Sequence, residues 1–290
     1  MLRPRELSSS LGMFPALTPT LAPATHTNSY ALGGREVVLV EPATPYDDER
    51  RAWVEWARGL ASQGRELKAI VVTHHHEDHV GGAAFLAREL NLPLWAHDLT
   101  VDRLPDEAKT LVTRRLNDGD TFTLRGLRDE EWHVLHTPGH APGHVCLREP
   151  HARTLVVGDM VASVGTILIA PGDGDMQVYL QQLERLATLD GFVALPAHGD
   201  PIDEPTTLFR HYIAHRLKRE AKVLAAVEKA GPNGATAIDL VPVAYDDTPA
   251  HLWPIAKLSL EMHLEKLVRE GKVTQSANLT FSCGNAASSQ

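Results

Sequence analysis

The stretch that decides the fold reads Thr73-His-His-His-Glu-Asp-His-Val-Gly-Gly82. It follows an apolar, β-branched run and precedes a helical pattern, so it occupies a turn at the carboxyl end of a predicted strand. Open α/β sheets gather functional groups at such ends. His74 and His76 are two residues apart and can point to one side of an extended segment, while Asp78 and His79 follow where the chain turns. Imidazole and carboxylate groups at this spacing predict a site for Zn²⁺ or a similar ion.

Three more ligand candidates also follow predicted strands: His140, Asp159 and His198. Their strands are predicted at residues 132–136, 154–158 and 192–196. Four strand ends that meet at one edge would supply five His and two Asp, the complement that a two-metal site requires. The spacing excludes an HExxH zinc helix, and no GxSxG motif supports a serine hydrolase.

The remaining pattern predicts two folded domains of different character. Residues 1–25 are rich in Pro, Ser and Thr and are expected to form an irregular lead-in. Residues 26–205 mix continuous apolar strand runs with helical patterns, which predicts an α/β layered domain that carries the catalytic residues. Residues 206–290 contain helical patterns at 207–230, 235–240 and 254–270 followed by a short hairpin. This order predicts a winged-helix-like domain.

Composition narrows the class of protein and its compartment. Cys146 and Cys283 are the only cysteines of the 290 residues and form no CxxC pattern, which argues against a disulfide framework and favours a reducing cytoplasm. Prolines interrupt the apolar N-terminal stretch, so no signal peptide is expected, and no run of about 20 apolar residues predicts a membrane span. The net charge of −9 disfavours a protein coated in nucleic acid or bound to acidic lipid.

Taken together, the motifs resemble the metallo-β-lactamase superfamily, whose hallmark is HxHxDH followed by three later ligands. The matching segments are His74–His79, Thr137–His140, Gly158–Asp159 and Ala197–Gly199. Within that superfamily the chain looks most like the branch of β-lactamase-like protein two. The segments that carry this second likeness are His136–His144, Tyr212–Arg216 and His263–Leu267. Ala197 stands where Gly is commoner, and this departure loosens inferences about substrate more than those about metal.

The resemblance implies a four-layered αββα sandwich with a small C-terminal winged-helix-like domain. It also implies two divalent metal ions, with zinc favoured, although Fe and Mn accept the same ligands. His74, His76 and His140 would hold the first ion; Asp78, His79 and His198 would hold the second; Asp159 would bridge them. Hydrolysis would use a hydroxide that bridges the metals, with Asp78 as the proton shuttle. In this register His75 faces away from the ions.

The sequence leaves the substrate open and indicates no substrate-binding residue. The resembling branch implies cleavage of single-stranded RNA, a phosphodiesterase activity. Its local support is the basic run Arg210, Arg216, Lys218, Arg219 and Lys222, which can equally be a solvated helical face. One alternative is a glyoxalase II-like hydrolase of small thioesters, esters, lactones or β-lactams. Another is a non-catalytic, metal-containing binding protein, and a homodimer is compatible with any of them.

Overall fold

The computed structural model describes residues 4–283, which divide into two compact units. The first unit comprises residues 4–167 and 189–205, and the second comprises 168–188 and 206–283. The predicted boundary after residue 205 therefore coincides with one between the units. Residues 168–188, which the sequence analysis placed within the domain over 26–205, cluster with the second unit. Their helix belongs to the second unit, where Arg269 donates hydrogen bonds of 2.8 and 3.0 Å to Asp175. None of the described helices has the length and apolar character needed to cross a bilayer.

A seven-stranded sheet forms the first half of the first unit, and its strands lie in chain order. The strands from the fourth to the seventh run parallel to one another, and the first four are antiparallel. They are β1 (Arg5–Ser8), β2 (Leu11–Leu17), β3 (His26–Leu32), β4 (Glu36–Val40), β5 (Glu66–Val71), β6 (Leu94–Ala96) and β7 (Val112–Arg115). The helices that accompany them are α1 (Asp47–Ser62), α2 (Glu77–Val80), α3 (Ala83–Leu90), α4 (Asp98–Val101) and α5 (Asp106–Lys109).

The expectation of an irregular lead-in is wrong for residues 5–17, because β1 and β2 extend the large sheet, and residues 1–3 lie outside the described part of the chain. Proline is uncommon inside a strand, since it donates no backbone hydrogen bond. In the structure β1 pairs only with the β2 residues up to Met13, whereas Pro15 is paired with Asn28 of β3. Proline is tolerated in β2 because β1 does not pair with it at that position.

A second sheet packs face to face against the first, and the two sheets enclose one part of the core between them. Its order is β12-β11-β10-β9-β8. The strands are β8 (Thr121–Leu124), β9 (Glu130–His136), β10 (Val145–Glu149), β11 (Thr154–Gly158) and β12 (Val193–Pro196). Tyr30, Val38 and Val71 of the first sheet form one buried cluster with Trp132 and Val156 of the second. The opposite face of the first sheet packs on α1 and α3 through a separate cluster. Burial on both faces explains why the central strands read as continuous apolar runs.

The second unit contains the long helix and the short hairpin that the sequence predicted, and a third strand pairs with that hairpin. Its helices are α6 (Met176–Leu186), α7 (Pro205–Ala230), α8 (Ala237–Ala244) and α9 (Trp253–Arg269), with a 3₁₀ turn at Ala250–Leu252. Its strands are β13 (Ala235–Thr236), β14 (Thr274–Gln275) and β15 (Thr280–Ser282), in the order β13-β15-β14. The predicted helix over 235–240 begins two residues later than expected. Thr236 caps it through a capping box with Asp239, so Ala235 and Thr236 remain free to pair with β15.

Charged residues lie inside the second unit, where α7 meets α9. Lys266 donates hydrogen bonds to Glu220 (2.8 Å) and Glu270 (2.6 Å). His263 is fully buried, and its Nδ1 lies 3.5 Å from the second Glu220 oxygen. Burial lowers the pKa of His263 despite the nearby carboxylate, so the imidazole is neutral in the folded protein at neutral pH.

This burial predicts a loss of stability in mild acid. An exposed imidazole in the unfolded chain takes up a proton as the pH falls through about 6.5. His263 resists protonation when folded, so the stability present above that pH is lost below it. In urea unfolding at pH 7.5 and 5.5, His263→Gln should therefore show a smaller pH dependence of the unfolding free energy. The control is His251→Gln, which changes an exposed residue of the same unit. An identical pH dependence in the His263→Gln variant and the unmodified protein would contradict this account.

Candidate metal centre

The seven predicted ligands follow the carboxyl ends of β5, β9, β11 and β12. In the second sheet β9, β11 and β12 run in the same direction, so their carboxyl ends share one edge. Backbone hydrogen bonds join this edge to the first sheet. The N–H of Val145 donates to the Thr73 carbonyl (3.0 Å), and the N–H of Asn28 donates to the Ala197 carbonyl (2.8 Å). The structure consequently brings all seven side chains together.

His74, His76 and His140 form a first trio. Nε2 of His74 lies 3.1 Å from Nδ1 of His76 and 3.2 Å from Nε2 of His140. Burial and the neighbouring imidazoles lower the pKa of His74 well below its usual value, which keeps it neutral. A neutral imidazole has one N–H and one lone pair, so Nε2 of His74 cannot serve both neighbours well. A cation that receives a lone pair from each nitrogen would satisfy all three.

Asp78, His79 and His198 form a second trio beside the first. Oδ2 of Asp78 lies 3.5 Å from Nε2 of His198 and 3.8 Å from Nε2 of His79. The three ligand atoms lie within 4.8 Å of one another, as they do in the first trio. His79 follows Asp78 directly on the short helix α2, which turns both side chains toward the strand ends of the second sheet.

Asp159 lies between the two trios and directs one oxygen toward each. Its Oδ1 is 3.5 Å from Nε2 of His79 and 3.3 Å from Nε2 of His198. Its Oδ2 is 3.4 Å from Nε2 of His140. One carboxylate that faces two sets of imidazoles is the arrangement expected of a ligand shared by two cations.

Two buried atoms in this cluster test whether metal ions fit. Within residues 4–283, Nε2 of His79 and Oδ1 of Asp159 have no hydrogen-bond partner. A buried polar atom without a partner costs roughly 1–3 kcal/mol, so such atoms are rare in native proteins. A cation ligated by both atoms would remove this cost. The donor set of imidazole and carboxylate also matches Zn²⁺ and related ions.

Three of the histidines are oriented by acceptors behind their rings. Nδ1 of His79 lies 3.0 Å from Oε1 of Glu41, and Nδ1 of His198 lies 3.0 Å from the His26 carbonyl. Nδ1 of His74 lies 3.0 Å from Oγ1 of Thr73. A proton held on Nδ1 leaves the Nε2 lone pair directed at the centre, which fixes the tautomer that a metal ligand needs.

Glu41 is a functional candidate that the sequence analysis missed. It is 1% exposed, has a positive φ of 61°, and also accepts a hydrogen bond from the Thr73 hydroxyl. The available signal was an acidic residue placed directly after the buried run Glu36–Val40. The run itself has the pattern of a core strand, and the sequence alone does not show what the residue at its end faces.

His144 holds the backbone next to Asp159 in place. Its Nε2 accepts a hydrogen bond from the Asp159 N–H (3.0 Å), and its Nδ1 lies 2.8 Å from the Thr137 hydroxyl. Burial lowers the pKa of His144 well below its usual value, so it is neutral and can accept. Gly158 has a φ of +47°, and a Cβ there would lie 2.5 Å from Nε2 of His144. Glycine is needed at this position for the ring to approach the backbone.

Thr20 reaches the second trio from the loop between β2 and β3. Its Oγ1 lies 3.5 Å from Nε2 of His198. The sequence analysis missed it because residues 1–25 were treated as an irregular lead-in. His75 lies outside both trios, in keeping with the orientation that the HxHxDH register implied.

The charges of the second trio depend on one another. Burial alone would lower the pKa of His79, but Glu41, Asp78 and Asp159 outweigh it and raise that pKa well above its usual value. Burial would likewise raise the pKa of Asp159, yet His198 and His79 hold it well below its usual range. Cationic imidazoles thus balance the buried carboxylates when no other cation does. Metal binding at these residues would release protons.

A family model shows what kind of protein carries this arrangement. The model described as the metallo-beta-lactamase superfamily matches residues 22–198, which contain all seven candidates. The chain belongs to the metallo-β-lactamase superfamily. A second model, the beta-lactamase associated winged helix domain, matches residues 236–280. The predicted αββα fold with a C-terminal winged-helix domain is therefore confirmed.

Individual proteins show the same likeness over 70% to 96% of the chain. A protein named beta-lactamase-like protein 2 homolog from Drosophila melanogaster is 29% identical over 285 residues, which cover 95% of this chain and 94% of that one. An atrochrysone carboxyl ACP thioesterase from Aspergillus fumigatus is 27% identical over 204 residues, covering 70% and 60% of the two chains. A metallo-beta-lactamase family protein from Thermus thermophilus has a similar structure, with a TM-score of 0.76 at 24% identity, covering 96% of this chain and 100% of that one.

The role of Glu41 is testable through metal affinity. Replacing Glu41 with Gln removes the charge that holds the proton on Nδ1 of His79, and loss of such a supporting contact costs roughly 10–100-fold in metal affinity. Competition with a chromogenic chelator measures that affinity. Glu55→Gln, an exposed change on α1, is the matched control and should bind metal like the unmodified protein. Equal affinity in the Glu41→Gln variant would show that Glu41 does not support the centre.

Proposed function

We propose that this protein is a hydrolase that works with two divalent cations, one held by each trio and both held by Asp159. The observation that carries the proposal is the position of the Asp159 carboxylate, whose two oxygens face different trios at 3.3 to 3.5 Å. Zinc is the ion we favour, because imidazole and carboxylate are ligands it takes readily in proteins. Bound ions of this kind activate a water molecule and polarise the substrate bond that it attacks.

Asp78 is the residue that we assign to proton transfer. Its side chain is 17% exposed, compared with 10% for Asp159 and 0% for His79. It is thus the carboxylate of the cluster most accessible to substrate and solvent. A carboxylate in this place can take a proton from the attacking water and pass it to the leaving group. Glu41 and His144 act behind the trios, where they orient His79 and the Asp159 backbone.

For the substrate we favour a small thioester or ester. The basic run on α7, which was the local support for RNA, is largely engaged within the second unit. Arg219 is paired with Asp247 at 2.8 Å and stacks on Tyr245. Lys222 donates hydrogen bonds of 2.7 and 2.9 Å to Asp246 and Asp247. Phosphate binding would have to compete with these ion pairs.

Of the basic run, Arg216 is buried, whereas Arg210 and Lys218 are exposed. Two exposed cationic side chains offer a nucleic acid little positively charged surface, and the chain as a whole has a net charge of −9. The Aspergillus fumigatus relative bears a thioesterase name, which supports the thioester choice. RNA cleavage remains a prediction of the family resemblance, and the ligand geometry argues against a non-catalytic binding protein.

Removing the Asp159 carboxylate tests the two-cation centre. In Asp159→Asn a neutral amide replaces the charge between the trios, so we expect the metal content to fall below two ions per chain. Turnover should fall about 100-fold or more, since the activated water is lost. Elemental analysis and a thioester assay measure the two effects. His133→Ala, which alters a histidine outside the centre that pairs with Glu131, should change neither. Full activity in Asp159→Asn would contradict the proposal that Asp159 holds two cations needed for hydrolysis.

The substrate class is tested by comparing an acyl-thioester panel with a single-stranded RNA. We expect thioester turnover that Arg210→Ala/Lys218→Ala leaves unchanged. Because binding to a nucleic acid through cations weakens as salt rises, we also expect no steep salt dependence. RNA cleavage that falls with salt and falls further in the double variant, without thioester turnover, would overturn the choice of substrate and leave the hydrolase proposal intact.

A further inference from the structure

A cavity lies in the first unit, at the end opposite the candidate metal centre. Its volume is about 640 Å³, within the usual range for a small-molecule site. Its walls come from turns that precede β2, β4, β5, β9 and β11, including Ser10, Arg35, Arg65, Arg128 and His151. The metal candidates follow the carboxyl ends of strands, whereas Arg35 and Arg65 directly precede the amino ends of β4 and β5. The two sites are thus separate.

Arg65 forms a fixed wall of this cavity. Its side chain is 10% exposed, and it donates hydrogen bonds to the carbonyls of Gly34 (3.1 Å) and Ser9 (2.8 Å). Its Nη1 is buried without a hydrogen-bond partner in the described part of the chain, and the nearest carboxylate oxygen, of Glu6, is 3.9 Å away. A guanidinium held this way joins two turns and places a positive charge behind the cavity.

Arg35 and Arg128 add two guanidinium groups that the protein itself does not neutralise. Both side chains are exposed and line the cavity, and across residues 4–283 neither makes an ion pair or a side-chain hydrogen bond. Other arginines of this unit differ: Arg58 pairs with Glu89 and Arg125 pairs with Glu36. Two unpaired guanidiniums at one cavity favour a ligand that carries more than one negative charge.

The acidic residues of the cavity are engaged by protein donors. Glu149 is buried and accepts a hydrogen bond from the Ala152 N–H. Glu130 accepts one from Nε1 of Trp132 (3.3 Å), and burial raises its pKa. Because these carboxylates do not pair with Arg35 or Arg128, they leave both guanidiniums available to a ligand.

Leu127 supplies an apolar surface at the rim, between Gly126 and Arg128. It is fully exposed, unlike the other leucines of the strands it connects. A single exposed leucine is common and proves nothing alone. Next to two unpaired arginines, it offers a surface on which the flat body of an anionic ligand can pack.

We propose that this cavity binds a nucleoside phosphate, with the phosphate groups on Arg35 and Arg128 and the base and sugar against Leu127. Guanidinium groups bind phosphate oxygens through paired, charge-assisted hydrogen bonds. Gly34, Gly64 and Gly126 in the turns carry no side chain that would block the approach of a ligand. The site is a binding site apart from the hydrolytic centre, and its occupancy does not depend on the proposed reaction.

Calorimetric titration of the intact protein with ADP tests the proposal. We expect saturable binding that weakens about tenfold for each guanidinium removed, and so about 100-fold in Arg35→Ala/Arg128→Ala. Arg51→Ala/Arg58→Ala removes two exposed charges from α1 and should bind ADP normally. Leu127→Ala should weaken ADP binding several-fold while leaving the weaker binding of inorganic phosphate unchanged.

The metal centre could also attract phosphate, and Asp159→Asn separates the two sites. We expect that variant to bind ADP with unchanged affinity. Binding that is lost in Asp159→Asn but kept in Arg35→Ala/Arg128→Ala would place the phosphate at the metal centre and overturn the proposal. Absence of saturable ADP binding, or adenosine binding as tightly as ADP, would overturn it as well.

Discussion

The carboxylate of Asp159 is the group on which the centre depends. It is buried among imidazoles from both sheets, and its oxygens face His79, His140 and His198 at closely similar distances. An isolated carboxylate in such a place is costly, so positive charge has to be present beside it. Protonated imidazoles supply that charge without metal, and two divalent cations would supply more. The two cations of the proposed hydrolase would meet this electrostatic requirement.

The surrounding structure keeps that charge balance in a fixed geometry. Backbone hydrogen bonds between the two sheets bring the strand ends together, and acceptors behind His74, His79 and His198 set the direction of their lone pairs. Glu41 orients His79, and His144 holds the backbone of Asp159. Both are buried at strand ends, where a rigid backbone limits how far the side chains can move. Orientation by such neighbours is as much a part of a metal site as the ligands themselves.

Much of this arrangement was predictable from sequence, because the HxHxDH stretch and three later ligands each follow a recognisable apolar run. The parts that were not predictable depend on tertiary contacts. The prolines among residues 1–25 made β2 hard to predict. In the structure β1 does not reach Pro15, so no hydrogen bond between β1 and β2 depends on an N–H at that position. Glu41 looked like the end of a core strand. Residue spacing does not reveal partners that are distant in the chain, so the sequence did not show that Arg219 and Lys222 of α7 are paired. In the structure they pair with Asp246 and Asp247.

The backbone hydrogen bonds that join the two sheets at one edge affect how the protein folds. Each trio draws residues from both sheets, so neither can form within a single hairpin or a single βαβ segment. Metal ions would have no complete binding site until the long-range packing is nearly finished. They would then stabilise the folded state without helping to nucleate folding. Removing them should therefore speed unfolding more than it slows folding.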